Sequence, residues 1–229
     1  MSMHWAALLT NNGHDNTPHI DAPGLAVWAL QFSPHVAQKE NTVWLEVTQS
    51  LRLFGGEGPL HQLVEAGAAE LGVRALAWAP TSLAALACAR TGIRDGFSAP
   101  LAQVLDPLPL QSIDAVNTHQ ATLARLGCRT LADVRQLPRG GLSRRFDSEL
   151  LLALDQAYGL RPEGYPWVKL PETFTAKLEL PGRVDSAPAL MFGARRLLVQ
   201  MGGWLAARHC GVTAFTLNWR HDALRARDT

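Results

Sequence analysis

Between Ala22 and Arg90 the hydrophobic period switches repeatedly between about 3.6 and 2, and this alternation restricts the fold more than any other feature. Leu25, Trp28, Ala29 and Phe32 fall at helical spacing, with Asp21 placed to cap and Pro34 to stop the helix. Val43-Trp44-Leu45-Glu46-Val47 is rich in strand formers and ends at polar Thr48-Gln49-Ser50. After a turn at Leu53-Phe54-Gly55-Gly56, the residues Leu60, Leu63, Val64, Ala68 and Leu71 form one apolar stripe that Gly72 closes. Val73 to Trp78 reads as a buried strand, and Ser82 as the cap of a small-residue helix, Leu83 to Arg90. Strands and helices of these lengths imply an α/β or α+β layer. Residues 1–21 are polar and Gly/Pro-punctuated after one short apolar run, and are expected to be poorly ordered. His4, His14 and His19 lack metal-ligand spacing, so no metal site is expected from them.

The pattern changes at two Pro-punctuated stretches, Ser98-Ala99-Pro100 and Asp106 to Leu110, which read as a domain boundary. Residues 110–160 carry only helical patterns, broken at Gly127, Pro138 and Gly140-Gly141; the best helix runs from Asp147 to Tyr158 and is closed by Gly159. Arg161 to Pro166 reads as a linker. Beyond it Phe174, Ala176, Leu178 and Leu180 alternate with polar residues as a strand with one dry face. Ser186 and Pro188 open a long helix through Leu190, Ala194, Leu197, Leu198, Met201 and Leu205, ended by Gly211, with Arg195, Arg196 and Arg208 expected in solvent. Phe215, Leu217 and Trp219 alternate as a second strand. A lone β-α-β unit buries little, so this last domain is expected to be cut short. The expected divisions are 1–21, 22–100, 101–161 and 162–229.

Apolar residues make up 47% of the 229 and charged residues 18%, which is enough for a packed core and excludes wholesale disorder. No run of 18 residues is free of Gly, Pro or charge, and the first residues lack a basic leader, so a cytoplasmic protein without a membrane span is expected. Cys88, Cys128 and Cys210 are odd in number and widely spaced, as in a protein of reduced thiols. Charge divides unevenly. Residues 1–100 hold 5 Lys/Arg against 8 Asp/Glu, a net −3; residues 101–229 hold 16 against 12, a net +4, and 14 of those 16 are Arg. Arginine's planar fork suits phosphate, so the second half hints at a polyanion partner. The common phosphate-loop, dinucleotide, zinc-protease and nucleophile-elbow motifs are absent, and Gly55-Gly56-Glu57-Gly58 reads as a tight turn.

Ala29 to Pro34, followed by Val43-Trp44-Leu45-Glu46-Val47-Thr48-Gln49-Ser50-Leu51-Arg52-Leu53-Phe54-Gly55-Gly56, resembles the palm of the Y-family DNA polymerases, and most closely their ImuB branch with its "LRLFGG" turn. Ala79 to Ala87 is similar to that family's next palm helix. Pro107 to Leu110 and Leu123 to Val134 resemble its helix-hairpin-helix-like thumb, and Phe174 to Trp219 the opening of its little finger. The resemblance covers roughly residues 22–221. It implies an α+β fold with a partial polymerase palm (a mixed sheet with helices), an all-α thumb and an incomplete β-α-β little finger.

The departures from the family bear on activity. Two groups of carboxylates hold two Mg²⁺ ions in an active palm. The first lies on an N-terminal strand, and this chain is expected to begin after it, with Asp15 and Asp21 outside the motif. The second is an Asp-Glu pair just before the palm strand, where this chain has Asn41 and Thr42. Neutral side chains hold Mg²⁺ poorly. Glu40 would point to the opposite face of the strand from residue 41, and Glu46 matches a position that is not a ligand. No catalytic residue, metal or cofactor is therefore expected.

The resemblance implies a non-catalytic DNA-damage (SOS) accessory of translesion synthesis. Its partners would be DNA, a separate error-prone replicative-type polymerase, an ImuA-like RecA-related protein and the sliding clamp, although the clamp-binding peptide is expected to lie beyond this chain. The candidate DNA contacts are Asn117 and Thr118 at a hairpin turn spanning Asp114 to Asn117, Arg139, Arg144 and Arg145 around Gly140-Gly141, and Lys177 and Arg183 by the little-finger strand. Two alternatives stay open: an active Y-family DNA-directed DNA polymerase, and a truncated fragment without independent activity.

Overall fold

The computed structural model describes residues 3–11, 20–180 and 186–219. It is an α+β structure built on a four-stranded sheet of β1 (Trp5–Leu9), β2 (His35–Lys39), β3 (Thr42–Glu46) and β4 (Ala75–Ala79), in the order β2-β3-β1-β4. Among the described residues all three ladders are antiparallel, which corrects the expected mixed sheet, and the one parallel contact is an isolated bridge between Trp78 and Asp95.

β1 corrects the expectation of a poorly ordered start and of a sheet lacking an N-terminal strand. Trp5 lies opposite both Glu46 and Ala79, Leu9 opposite both Thr42 and Ala75, and every residue of the strand is buried. Residues 12–19 lie outside the described residues. A strand dry on both faces shows an unbroken apolar run rather than alternation, and its two alanines give little strand signal. Trp5, Ala7 and Leu9 enter the core on one face of the sheet, and Ala6 and Leu8 the core on the other. β2 was also illegible in the sequence. It is a polar edge strand, joined to β3 through a turn in which Glu40 takes a left-handed φ of 51°.

On the Ala6 and Leu8 face lie α1 (Ala22–Ala29) and α2 (Glu57–Leu71). Asp21 caps α1 as expected, its Oδ1 accepting the Gly24 N–H at 2.9 Å. Gly72 closes α2 at φ 74°, while Leu63 stands outside the buried stripe at 51% exposure. The opposite face carries α3 (Ser82–Thr91), capped by Thr81 rather than Ser82, with Thr81 Oγ1 accepting the Ala84 N–H at 3.1 Å.

The α3 core continues into the helices that follow: α4 (Leu101–Leu105), a 3-10 turn (Leu110–Ser112), α5 (Asp114–Asn117), α6 (Gln120–Arg125), α7 (Leu131–Gln136), α8 (Arg139–Arg145) and α9 (Ser148–Ala157). Two expected turns are helical. Asp114 to Asn117 is α5, and Gly140-Gly141 lies inside α8, where buried Leu142 anchors the helix despite both glycines. The expected linker is a strap across the sheet. Glu163 accepts the Ser82 and Leu83 N–H groups at 2.8 and 3.0 Å, Tyr165 stacks on Trp44 at 5.4 Å, and Trp167 stacks on Trp5 at 6.2 Å. The Val168 N–H then donates to Val36 O at 2.8 Å, covering part of the β2 edge.

α10 (Ala187–Ala207) packs on α1 and α2. Its buried face is small and polar (Gly193, Ala194, Arg196, Gln200, Gly203), whereas Leu190 and Leu198 of the expected stripe are exposed. Arg196, expected in solvent, is 7% exposed, and its Nε donates to Glu70 O at 3.3 Å. The reason is steric: a Cβ on Gly203 would lie 2.6 Å from Trp28 Cδ1, and one on Gly67 of α2 would lie 2.3 Å from Trp28 Cζ2. The Trp28 ring thus lies against glycine on both neighbouring helices. Among the described residues neither segment expected as a strand beside α10 joins a ladder. Phe174, Ala176, Leu178 and Leu180 keep the expected one-sided alternation as a half-buried face, but they turn it toward the helix: Leu178 and Leu180 reach Gly193, and Phe174 meets Trp204 at 5.9 Å. Phe215, Leu217 and Trp219 are exposed. No helix among the described residues is long and apolar enough to cross a membrane.

Leu8→Ala removes a fully buried side chain from the central strand, so urea denaturation should show a loss of about 2–5 kcal/mol. Adjacent glycines of α10 should respond with opposite signs. Gly202→Ala meets nothing within 4 Å and should gain up to about 1 kcal/mol from helix propensity. Gly203→Ala should lower the melting temperature, because its methyl group collides with Trp28.

Candidate nucleic-acid interface

Where β1 ends beside the start of β3, Leu9, Thr10, Asn41 and Thr42 are neutral, with Glu40 flanking them. Leu9 is paired with Thr42, and Asn41 O accepts from both the N–H and the hydroxyl of Thr10, at 2.9 and 3.1 Å. Glu40 sits in the β2–β3 turn, not on the strand as expected. Glu46 lies at the far end of β3, where one carboxylate oxygen accepts the Thr48 N–H at 2.9 Å and the other is 3.3 Å from His35 Nδ1. Asp15 lies outside the described residues.

Two basic or polar corners of the helical region are brought together. Asn117 and Thr118 are exposed at the end of α5, where the Thr118 hydroxyl donates to Asp114 O at 3.1 Å. The next residue, His119, packs edge-on against Phe146 at 5.2 Å, and its Nε2 lies 2.7 Å from Asp147 Oδ2. Phe146 directly follows Arg144 and Arg145, so His119 fastens the Asn117-Thr118 corner to the basic end of α8. The Leu150 N–H and then His119 hold the Asp147 carboxyl below the usual carboxylate range. Asp114, whose charge would oppose phosphate at this corner, is clamped by Arg90 at 2.8 and 2.9 Å.

The arginines of this region differ in their partners. Arg139 is a structural group: its two Nη atoms meet the two oxygens of buried Asp155 at 2.9 and 2.7 Å. Arg135 meets Asp106 at 2.6 Å and lies over the Tyr158 ring. Arg144 and Arg145 are exposed and, among the described residues, meet no carboxylate; Arg144 Nε donates only to Gly140 O at 3.1 Å. Lys177 is exposed, away from this corner, and paired with Glu179 at 2.6 Å. Arg183 lies outside the described residues.

No protein-family model matches the chain. Two curated relatives, each named Protein ImuB and from two strains of Caulobacter vibrioides, are 33% identical to it over 156 residues, which is 65% of this chain and 34% of theirs. The chain is ImuB-like and related to the Y-family polymerases. It spans about a third of the length of the relatives it matches.

Sequence reasoning found the arginines of this ImuB-like chain but missed His119 and Asp147, which assemble the corner. Their separation of 28 residues has no local signature. The Arg139 pair makes a testable contribution of its own. Arg139 holds the Asp155 carboxyl below the usual carboxylate range. That stability is fully present above about pH 4 and lost as pH falls through the folded-state value. Arg139→Ala should therefore lower the urea midpoint at pH 7 and narrow its difference from the midpoint at pH 3. An unchanged midpoint at pH 7 would remove the pair from the account of stability.

Proposed function

We propose that this chain is a non-catalytic, DNA-binding accessory protein of DNA repair that serves error-prone translesion synthesis. The observation that carries the reading is the start of β3, where neutral Asn41 and Thr42 occupy the positions at which the resemblance expects an Asp-Glu pair, beside Leu9 at the end of β1. A two-metal nucleotidyl transfer needs clustered carboxylates to align hydroxyl and triphosphate, and Asn or Thr oxygens do not replace that charge. The likeness to Protein ImuB supports placing the chain in the DNA-damage (SOS) response, in the cytoplasm.

On this reading residues 22–100, together with β1, are a partial palm, 101–161 the thumb, and 162–229 the opening of a little finger. The partners are primer-template or damaged DNA, an error-prone replicative-type polymerase, an ImuA-like RecA-related protein and the sliding clamp. Asn117, Thr118, Arg144 and Arg145 take the phosphate backbone at the corner fastened by His119, with Lys177 and Arg183 as further contacts. Arg139 contributes by holding α8 on α9.

Primer extension and a DNA-binding titration on one preparation test this. No Mg²⁺-dependent incorporation is expected, with micromolar, sequence-independent affinity that falls as salt rises. Each phosphate contact contributes about 0.9 to the slope of log affinity against log salt on duplex DNA, so Arg144→Ala with Arg145→Ala should reduce the slope by about 2. Template-dependent extension by the purified protein would overturn the non-catalytic reading. Affinity indifferent to salt would overturn the phosphate contacts.

A further inference from the structure

Three side chains distant in sequence converge beside the start of β1. His4 Nε2 lies 2.8 Å from His61 Nε2 and 3.8 Å from Glu57 Oε1, and the three donor atoms all lie within 4.8 Å of one another. Glu57 and His61 are four residues apart in the first turns of α2, and so share one face. His4 is fixed from the sheet side: its N–H donates to Thr48 Oγ1 at 2.9 Å and its carbonyl accepts the Val47 N–H at 2.9 Å. The possible co-ligands of His4 are therefore not His14 or His19, the histidines weighed with it in the sequence, but two residues of α2.

We propose that His4, Glu57 and His61 form a binding site for a divalent transition-metal ion of the zinc class, with one coordination position left to solvent. The donor set is two imidazoles and a carboxylate, which suits zinc better than Mg²⁺ or Ca²⁺. Ligand bonds of about 2.0–2.2 Å in tetrahedral geometry need donor separations near 3.3 Å. The imidazole nitrogens would therefore part by about half an ångström and the carboxylate close on His4 by about as much, while its gap to His61, within 4.8 Å, would close as well.

The ring planes are already set. His61 stacks on Trp78 at 3.7 Å and 9°, and His4 stacks on Phe97 at 4.4 Å and 11°. The two Nε2 atoms share a hydrogen bond at 2.8 Å, so one of them carries a proton, which would move to its Nδ1 when both nitrogens ligate an ion. One side of the site is open: the Glu57 side chain is 56% exposed and His4 only 8%. A bound ion would tie the lead-in of the central strand to the first turns of α2, so binding should raise stability. This inference is independent of the DNA-binding reading, because the basic corner shares no residue with it.

Isothermal titration of the untagged full chain with ZnCl₂, repeated with Co²⁺ by visible absorption, tests the site. One equivalent should bind with micromolar or better affinity, and Co²⁺ should give the intense visible bands of a low-coordinate ion. Zinc should raise the melting temperature of the native chain. Glu57→Ala, at an exposed position, and His61→Ala should each weaken binding at least tenfold and abolish the thermal shift, with circular dichroism checking that each variant is folded. His209→Ala and Cys210→Ser, at the exposed pair of donors after α10, should leave binding unchanged. Absence of a stoichiometric site, native affinity in Glu57→Ala, or loss of binding in the His209 or Cys210 variants would overturn the proposal.

Discussion

The pairing of Trp5–Leu9 between β3 and β4 is the constraint on which the other layers depend. Because β1 is dry on both faces, its odd and even residues must each be covered, and the chain supplies a helical layer for each. Ala6 and Leu8 need α1 and α2; Trp5, Ala7 and Leu9 need α3 and the strap that brings Tyr165 and Trp167 over the sheet. The strap connects the two sides. It leaves α9, crosses Trp44 and Trp5, bonds to the backbone of β2, and leads to α10 on the far layer. Glu163 adds a second tie by capping α3 from 80 residues away; burial pushes its carboxyl up, while the Ser82 and Leu83 N–H groups and the Ser82 hydroxyl pull it down.

Arginine content alone gives a poor map of a polyanion surface. In the helical region Arg90, Arg135 and Arg139 are each held by a carboxylate: Asp114, Asp106 and Asp155. Exposed pairs such as Arg90–Asp114 add little stability, and a paired arginine steers little, since the two fields cancel over a few ångströms. Arg144 and Arg145 are chemically the same residues, but α8 ends in solvent beside the His119 corner, and their charge is left to act outward. Arg196 shows the opposite limit. Its guanidinium is buried against the C-terminus of α2, at the negative end of the helix dipole, where Nε donates to Glu70 O while Nη1 has no hydrogen-bond partner among the described residues, and burial lowers its hold on the proton.

Much of the sheet-and-helix region was legible because one-sided burial writes a period into the sequence. α1, α2, α3, β3 and β4 all carry apolar residues on one face or in compact runs bounded by caps, and Asp21, Gly72 and Gly159 mark ends by chemistry that is local. The misses have equally local causes. β1 is apolar throughout and so carries no period, β2 is a polar edge strand, and Gly140-Gly141 signals a turn that the burial of Leu142 overrides. On α10 two of the conspicuous leucines, Leu190 and Leu198, are exposed, because close approach to Trp28 selects the face that carries glycine and alanine.

The sequence by itself determined the α+β class, the run of helices after residue 100, the ends of most elements, and the neutral residues Asn41 and Thr42, since each depends on identity and short-range spacing. Only the tertiary structure decided which basic residues are free, because the carboxylates that occupy Arg90 and Arg139 lie 24 and 16 residues away in the chain. It alone brought His4 to α2 and His119 to Asp147. Convergence of side chains from separate elements is set by how layers pack around a shared core, and packing of that kind leaves no period in the chain.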